Sequence, residues 1–138
     1  MDTIRIYCEN TQSYQEVSLG TSLQQLVPCD GAAPVLAALV DNKLKSLDYK
    51  IINPHNVRFV DYDHPDGRRT YIRSLCFVLQ KVVHEMFPDK VLVIDYSLPS
   101  GLYCEIREAH NMDDGRPCVY FVTDSEVGHI EARMREII

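Results

Sequence analysis

The longest run of regular hydrophobic spacing covers residues 64–88. Ile72, Leu75, Cys76, Leu79, Val83, Met86 and Phe87 recur at i, i+3, i+4 and i+7, the pattern of one buried helical face. An Asp66-Gly67 turn leads to Thr70, the expected N-cap. Pro88 stops the helix, because it has no N–H to continue the ladder. The opposite side carries Arg73, Gln80, Lys81 and His84, with Phe77 out of place among them.

Ahead of this helix the period is two. Residues 3–8 alternate, with Ile4 and Ile6 on one side, and residues 14–19 return as the second strand of a hairpin. Ser22 is placed to cap a short helix through Leu23 and Leu26. An apolar run at 35–40, the turn Asp41-Asn42-Lys43, a segment at 44–47 and a strand at 57–62 complete a compact α+β unit. Residues 61–69 have the charge and turn residues of a linker.

After the helix, residues 91–96 form a continuous apolar strand, 102–107 an alternating one and 118–122 a third, with a turn at Asp114-Gly115 before the last. Thr123 and Glu126 have the spacing of a capping box. Val127, Ile130, Met134 and Ile137 then mark the apolar side of a final helix. That pattern runs on to the last residue, so the expectation is a piece of a longer polypeptide. The expected division is 1–62 and 63–138.

Composition adds limits. With 138 residues, 46% apolar and 25% charged, the balance is that of a globular protein. A net charge of −6 argues against bulk attraction to nucleic acid and leaves room for a local basic patch. No apolar run nears the ~20 residues of a membrane span, and the N-terminus lacks the pattern of a signal peptide. A cytoplasmic location without membrane contact is expected. The five cysteines form no C-x-x-C and read as reduced, mostly buried thiols.

The first unit resembles a TGS domain, a small β-grasp module. The matching residues are the opening strand, Gly20-Thr21-Ser22 before a short helix, Val40-Asp41-Asn42-Lys43, Leu47 and the strand from Val57 to Asp61. The second unit resembles the opening half of the editing domain of threonyl-tRNA synthetases. It matches through Phe87-Pro88-Asp89, Gly101-Leu102-Tyr103, and Ile130-Glu131 with Met134. The implied fold is an N-terminal β-grasp unit followed by a partial helix-plus-antiparallel-sheet unit. In that family the central helix opens His-Ser-x-x-His, and the histidines serve ester hydrolysis. Here the stretch is Arg73-Ser74-Leu75-Cys76-Phe77. The guanidinium of an arginine stays protonated and a benzene ring carries no exchangeable proton, so neither side chain replaces those bases.

The pair with both histidines lost is similar to the N-terminal region of uridine kinase-like proteins, where a P-loop nucleoside kinase domain follows. The resemblance implies a non-catalytic accessory region that binds a small ligand, RNA or that kinase domain. ATP and magnesium are expected only with the kinase domain, because no G-x-x-x-x-G-K-[ST] occurs here. The alternatives are a deacylase acting on aminoacyl-tRNA and a docking or oligomerisation module.

Candidate binding residues cluster on the helix. Arg68, Arg69 and Arg73 crowd its start, where an anion, a nucleotide or phosphate, would offset their conflict with the helix dipole. Ser74, Phe77 and Tyr103 are grouped with them, with Phe77 as a stacking surface or a plug and Tyr103 as a wall. His55 and His64 lie in turns with no evident partner. His84, with Glu85, reads as a surface residue at the helix C-terminus. His110 with Asp113 and Asp114 lacks the ligand spacing of a calcium loop, and no catalytic or metal residue is nominated.

Overall fold

The computed structural model describes residues 2–29, 31, 33–110, 115–116 and 118–138. The turn expected at Asp114-Gly115 thus falls partly outside the described residues. The chain forms two compact units, Met1–Arg73 and Ser74–Ile138. Each is mixed α and β, with its own sheet.

The strands of the first unit are β1 (Thr3–Cys8), β2 (Ser13–Ser18), β3 (Ala37–Val40), β4 (Lys43–Lys45) and β5 (Asn56–Val60). They lie in the order β2-β1-β5-β3-β4. β1 and β5 are parallel and the other pairs antiparallel, the crossed arrangement of a β-grasp. Alternation directs Ile6, Cys8, Val17, Val40, Val57 and Phe59 to one side, where Leu23 and Ile51 close the core. Asp41 and Asn42 both take positive φ, +47° and +63°, which a two-residue hairpin of right-handed twist requires.

The short helix at Leu23–Leu26 is a 3-10 turn, and Ser22 precedes it without a side-chain cap. The cap is replaced by backbone. The N–H groups of Leu23 and Gln24 donate to the carbonyls of Tyr49 and Leu47 at 3.0 and 2.7 Å.

Helix α1 (Pro65–Met86) starts five residues before the expected Thr70 cap and takes in most of the expected linker. Pro65 suits a first helical position, since its missing N–H is one the helix would leave unpaired. The ring Nδ1 of His64 accepts from the Asp66 N–H at 3.2 Å, the bond a capping oxygen makes. Gly67 sits within the helix, against the carbonyl of Asp61. Thr70 is interior, its hydroxyl donating to the Asp66 carbonyl at 2.8 Å.

The second unit contains the rest of α1, strands β6 (Lys90–Leu98), β7 (Gly101–Glu108) and β8 (Val119–Tyr120), and helix α2 (Asp124–Ile137). The sheet order is β6-β7-β8, all antiparallel. β8 is shorter than the strand expected at 118–122, because only Val119 and Tyr120 pair with β7. Val82, Val83, Ile106 and Ile130 form a small core, flanked by Leu79, Met86, Phe87, Leu92, Tyr120 and Met134. The expected buried face of α1 is therefore shifted: Val82 is fully buried, whereas Ile72 is exposed. The capping box of α2 is present in full, with Thr123 and Glu126 exchanging bonds. All five thiols are free, and only Cys8 is buried, fewer than expected. Among the described residues no helix is long and apolar enough to cross a membrane.

Candidate functional site

Arg68, Arg69 and Arg73 stand in the first turns of α1, within the first unit. One of the three arginines is paired there. Asp66 lies in the first turn, favoured by the helix dipole, and pairs with Arg69. The guanidinium of Arg68 lies 5.4 Å from the ring centroid of Tyr62, which meets Tyr71 edge-on. Arg73 is exposed and, among the described residues, makes no ion pair.

Ser74, Phe77 and Tyr103 belong to the second unit. Phe77 is 72% exposed, so it neither plugs a cavity nor adds to a core. It lines a groove of about 410 Å3 with Gln80, Lys81 and His84 of α1 and Val91 and Leu92 of β6. Tyr103 lines a different, apolar groove of about 340 Å3, with Leu79, Cys104, Ile106, Phe121 and Val127. Its ring stacks on Tyr96, with centroids 4.8 Å apart, and its hydroxyl donates to Glu105 at 3.1 Å. That bond to a carboxylate raises the Tyr103 hydroxyl above its ordinary range. Glu105 is held low, first by the guanidinium of Arg107 and then by Tyr103. Burial, then the neighbouring Cys76, pushes the Cys104 thiol up, so it is a poor nucleophile.

Two histidines have partners that the sequence did not reveal. His64 caps α1, as described above. The Nδ1 of His55 lies 2.6 Å from Asp41, while its Nε2 is buried without a partner. The two-residue hairpin at Asp41-Asn42 brings this carboxylate beside β5, where it also accepts from the Asn56 N–H. That N–H, then His55, holds Asp41 below the usual carboxylate range. Among the described residues no group of three or more His, Cys, Asp or Glu could hold a metal. Asp113 and Asp114, weighed with His110, lie outside the described residues.

The units differ in how their cations are used. Lys and Arg number eight and Asp and Glu nine through Arg73, against six and eleven after it, so the formal charges are −1 and −5. In the second unit Lys81, Lys90, Arg107, Arg133 and Arg135 all pair with glutamates. In the first unit, among the described residues, Arg69 is the one Lys or Arg in an ion pair. Arg5 and Lys45 instead lie over the rings of Tyr14 and Tyr49, at 4.2 and 4.9 Å.

No protein-family model matches the chain. It is similar along 99% of its length to the threonine–tRNA ligase of Streptomyces griseus subsp. griseus, with 27% identity over 139 residues. It is 28% identical over 139 residues to the threonine–tRNA ligase of Streptomyces avermitilis, also across 99% of the chain. The ligase of Prosthecochloris aestuarii is 24% identical over 106 residues, 77% of the chain. The chain spans 19%, 19% and 15% of the length of these three relatives. They support the synthetase part of the resemblance and carry no kinase name.

Proposed function

We propose that this chain, similar along nearly its whole length to threonine–tRNA ligases, is an accessory region that contacts tRNA and leaves its aminoacyl ester intact. One observation carries the reading: Arg73 and Phe77 stand one turn apart on α1, where the resembled helix has its two histidines. A guanidinium binds phosphate and a phenyl ring stacks, yet neither takes up a proton near neutral pH. The cations of the first unit, mostly outside ion pairs, supply the attraction that the net charge of −6 does not. The acidic second unit limits contact to a local patch. A role ahead of a nucleoside kinase rests on the sequence resemblance alone.

The test is retention of uncharged threonine tRNA by the whole chain across a salt series. Binding is expected to weaken as salt rises, with a slope of about −0.7 per phosphate contacted in single-stranded regions. Arg58→Ala, at an exposed position on β5, and Arg73→Ala are expected to weaken binding and each reduce the magnitude of that slope by about 0.7. Binding that ignores salt, or that neither variant alters, would contradict the reading.

A further inference from the structure

One groove of the second unit departs from the acidic character of that unit. Phe77, Gln80, Lys81 and His84 are spaced i, i+3, i+4 and i+7, so they form one stripe along α1. With Val91 and Leu92 of β6 they line the groove of about 410 Å3, and Lys90 stands at its margin. Among the described residues no carboxylate lines it, although the unit has a formal charge of −5. Two other grooves of similar size carry Glu105 in one case and Asp61 and Asp63 in the other. Lys81 and Lys90 pair with Glu85 and Glu108, which lie outside the lining. The Lys81 pair is exposed, so it holds the ammonium weakly, and an ammonium has three N–H groups to share. Gln80 and His84 make no hydrogen bond or ion pair among the described residues. Phe77, 72% exposed, stands at the end of the stripe.

Each of these side chains suits one part of a nucleotide. A phenyl ring stacks on the face of any base. A side-chain amide offers a donor and an acceptor together, as the edge of an unpaired base does. An ammonium and an imidazole N–H suit a phosphate. Val91 and Leu92 supply an apolar floor. A base inside a duplex is shut out, because its edge is paired and its faces are stacked.

We propose that this groove seats one unpaired nucleotide of single-stranded RNA, with its base on Phe77 and against Gln80 and its phosphate at Lys81 and His84. The inference rests on the tRNA contact proposed above, and it adds that the second unit takes an unpaired position and not a helical arm. Charge selects this occupant: the lining has cations and no anion, and RNA sets a phosphate beside every base.

Fluorescence anisotropy of labelled hexaadenylate, titrated with the whole chain up to about 100 μM at low salt, tests the proposal beside an RNA duplex of equal length. The single strand is expected to bind several-fold more tightly than the duplex. Phe77→Ala is expected to weaken its binding about tenfold, the loss of one base stack, and Phe77→Tyr to leave it within about twofold. Gln80→Ala is expected to weaken it several-fold. Circular dichroism checks that the variants fold, and Gln80→Ala, at an exposed position, carries the test if Phe77→Ala does not fold. Equal binding of duplex and single strand would overturn the proposal, as would no binding of hexaadenylate. So would binding that neither Phe77→Ala nor Gln80→Ala alters. If Arg58→Ala and Arg73→Ala weaken tRNA retention while the groove variants change nothing, the groove is wrong and the tRNA contact stands. If the groove variants weaken hexaadenylate binding while the arginine variants leave tRNA retention unchanged, the groove stands and the tRNA contact as proposed fails.

Discussion

At the scale of single residues, Gly67 shows how one position reverses a general rule. Replacing glycine by alanine inside a helix ordinarily adds about 1 kcal/mol of stability. At Gly67 a Cβ would overlap the backbone carbonyl of Asp61, so the helix or the preceding segment must shift. Gly67→Ala is expected to destabilise the chain by about 1–3 kcal/mol, several degrees in thermal unfolding followed by circular dichroism. An unchanged or raised midpoint would show that this close approach is absent. The residue was legible as special and its reason was not. Asp-Gly is turn chemistry in a local reading, whereas the constraint here comes from a carbonyl six residues earlier, fixed by the way the chain enters the helix. The partner of His55 was hidden for the same reason, since it meets Asp41 only after the hairpin forms. Phe77 was the reverse case. Its misfit on a polar helix face was visible in the sequence, and the exposed ring is its structural counterpart.

Among the elements, α2 was readable to its first residue because its start is set by contacts three residues apart. Thr123→Ala removes one half of the capping box and is expected to cost about 1 kcal/mol, seen as lost helix signal on mild heating. Glu126 adds a pH dependence. The Thr123 N–H, then the hydroxyls of Tyr120 and Thr123, hold its carboxyl below the ordinary glutamate value of about 4.3. A carboxyl lowered by folding stabilises the fold above that ordinary value. The contribution fades as pH falls below it, through the folded value. Acid titration is expected to be shallower below about pH 4.3 in Glu126→Gln than in the parent chain. Equal slopes would remove Glu126 from the account. β6 was harder. An apolar run such as residues 91–96 has the composition of a strand buried on both faces, yet Val91, Ile94 and Tyr96 are exposed at an edge. Periodicity gives the strand and its length. Which strand lies beside it depends on the order of the sheet, which no local pattern encodes.

For the whole molecule, two cores of unequal size imply unequal persistence. The first unit buries Ile6, Leu23, Ile51 and Val57 almost completely, while the second has Val82 and Val83 as its comparable residues. Hydrogen exchange is expected to protect amides of β1 and β5 longer than those of β6 and β7. Equal protection throughout would instead indicate one cooperative structure. The two-unit order was legible because each stretch had its own period. The boundary at Arg73 was not, because α1 continues across it without any break in pattern. In the function proposed above, the cations outside ion pairs lie in the first unit and Phe77 in the second. The most direct test is the lifetime of the ester on aminoacylated threonine tRNA, measured with the tRNA held by an excess of this chain. The account predicts retention of the tRNA and an ester decay rate equal to that in buffer. Faster decay that disappears when one of this chain's own side chains is substituted would contradict it.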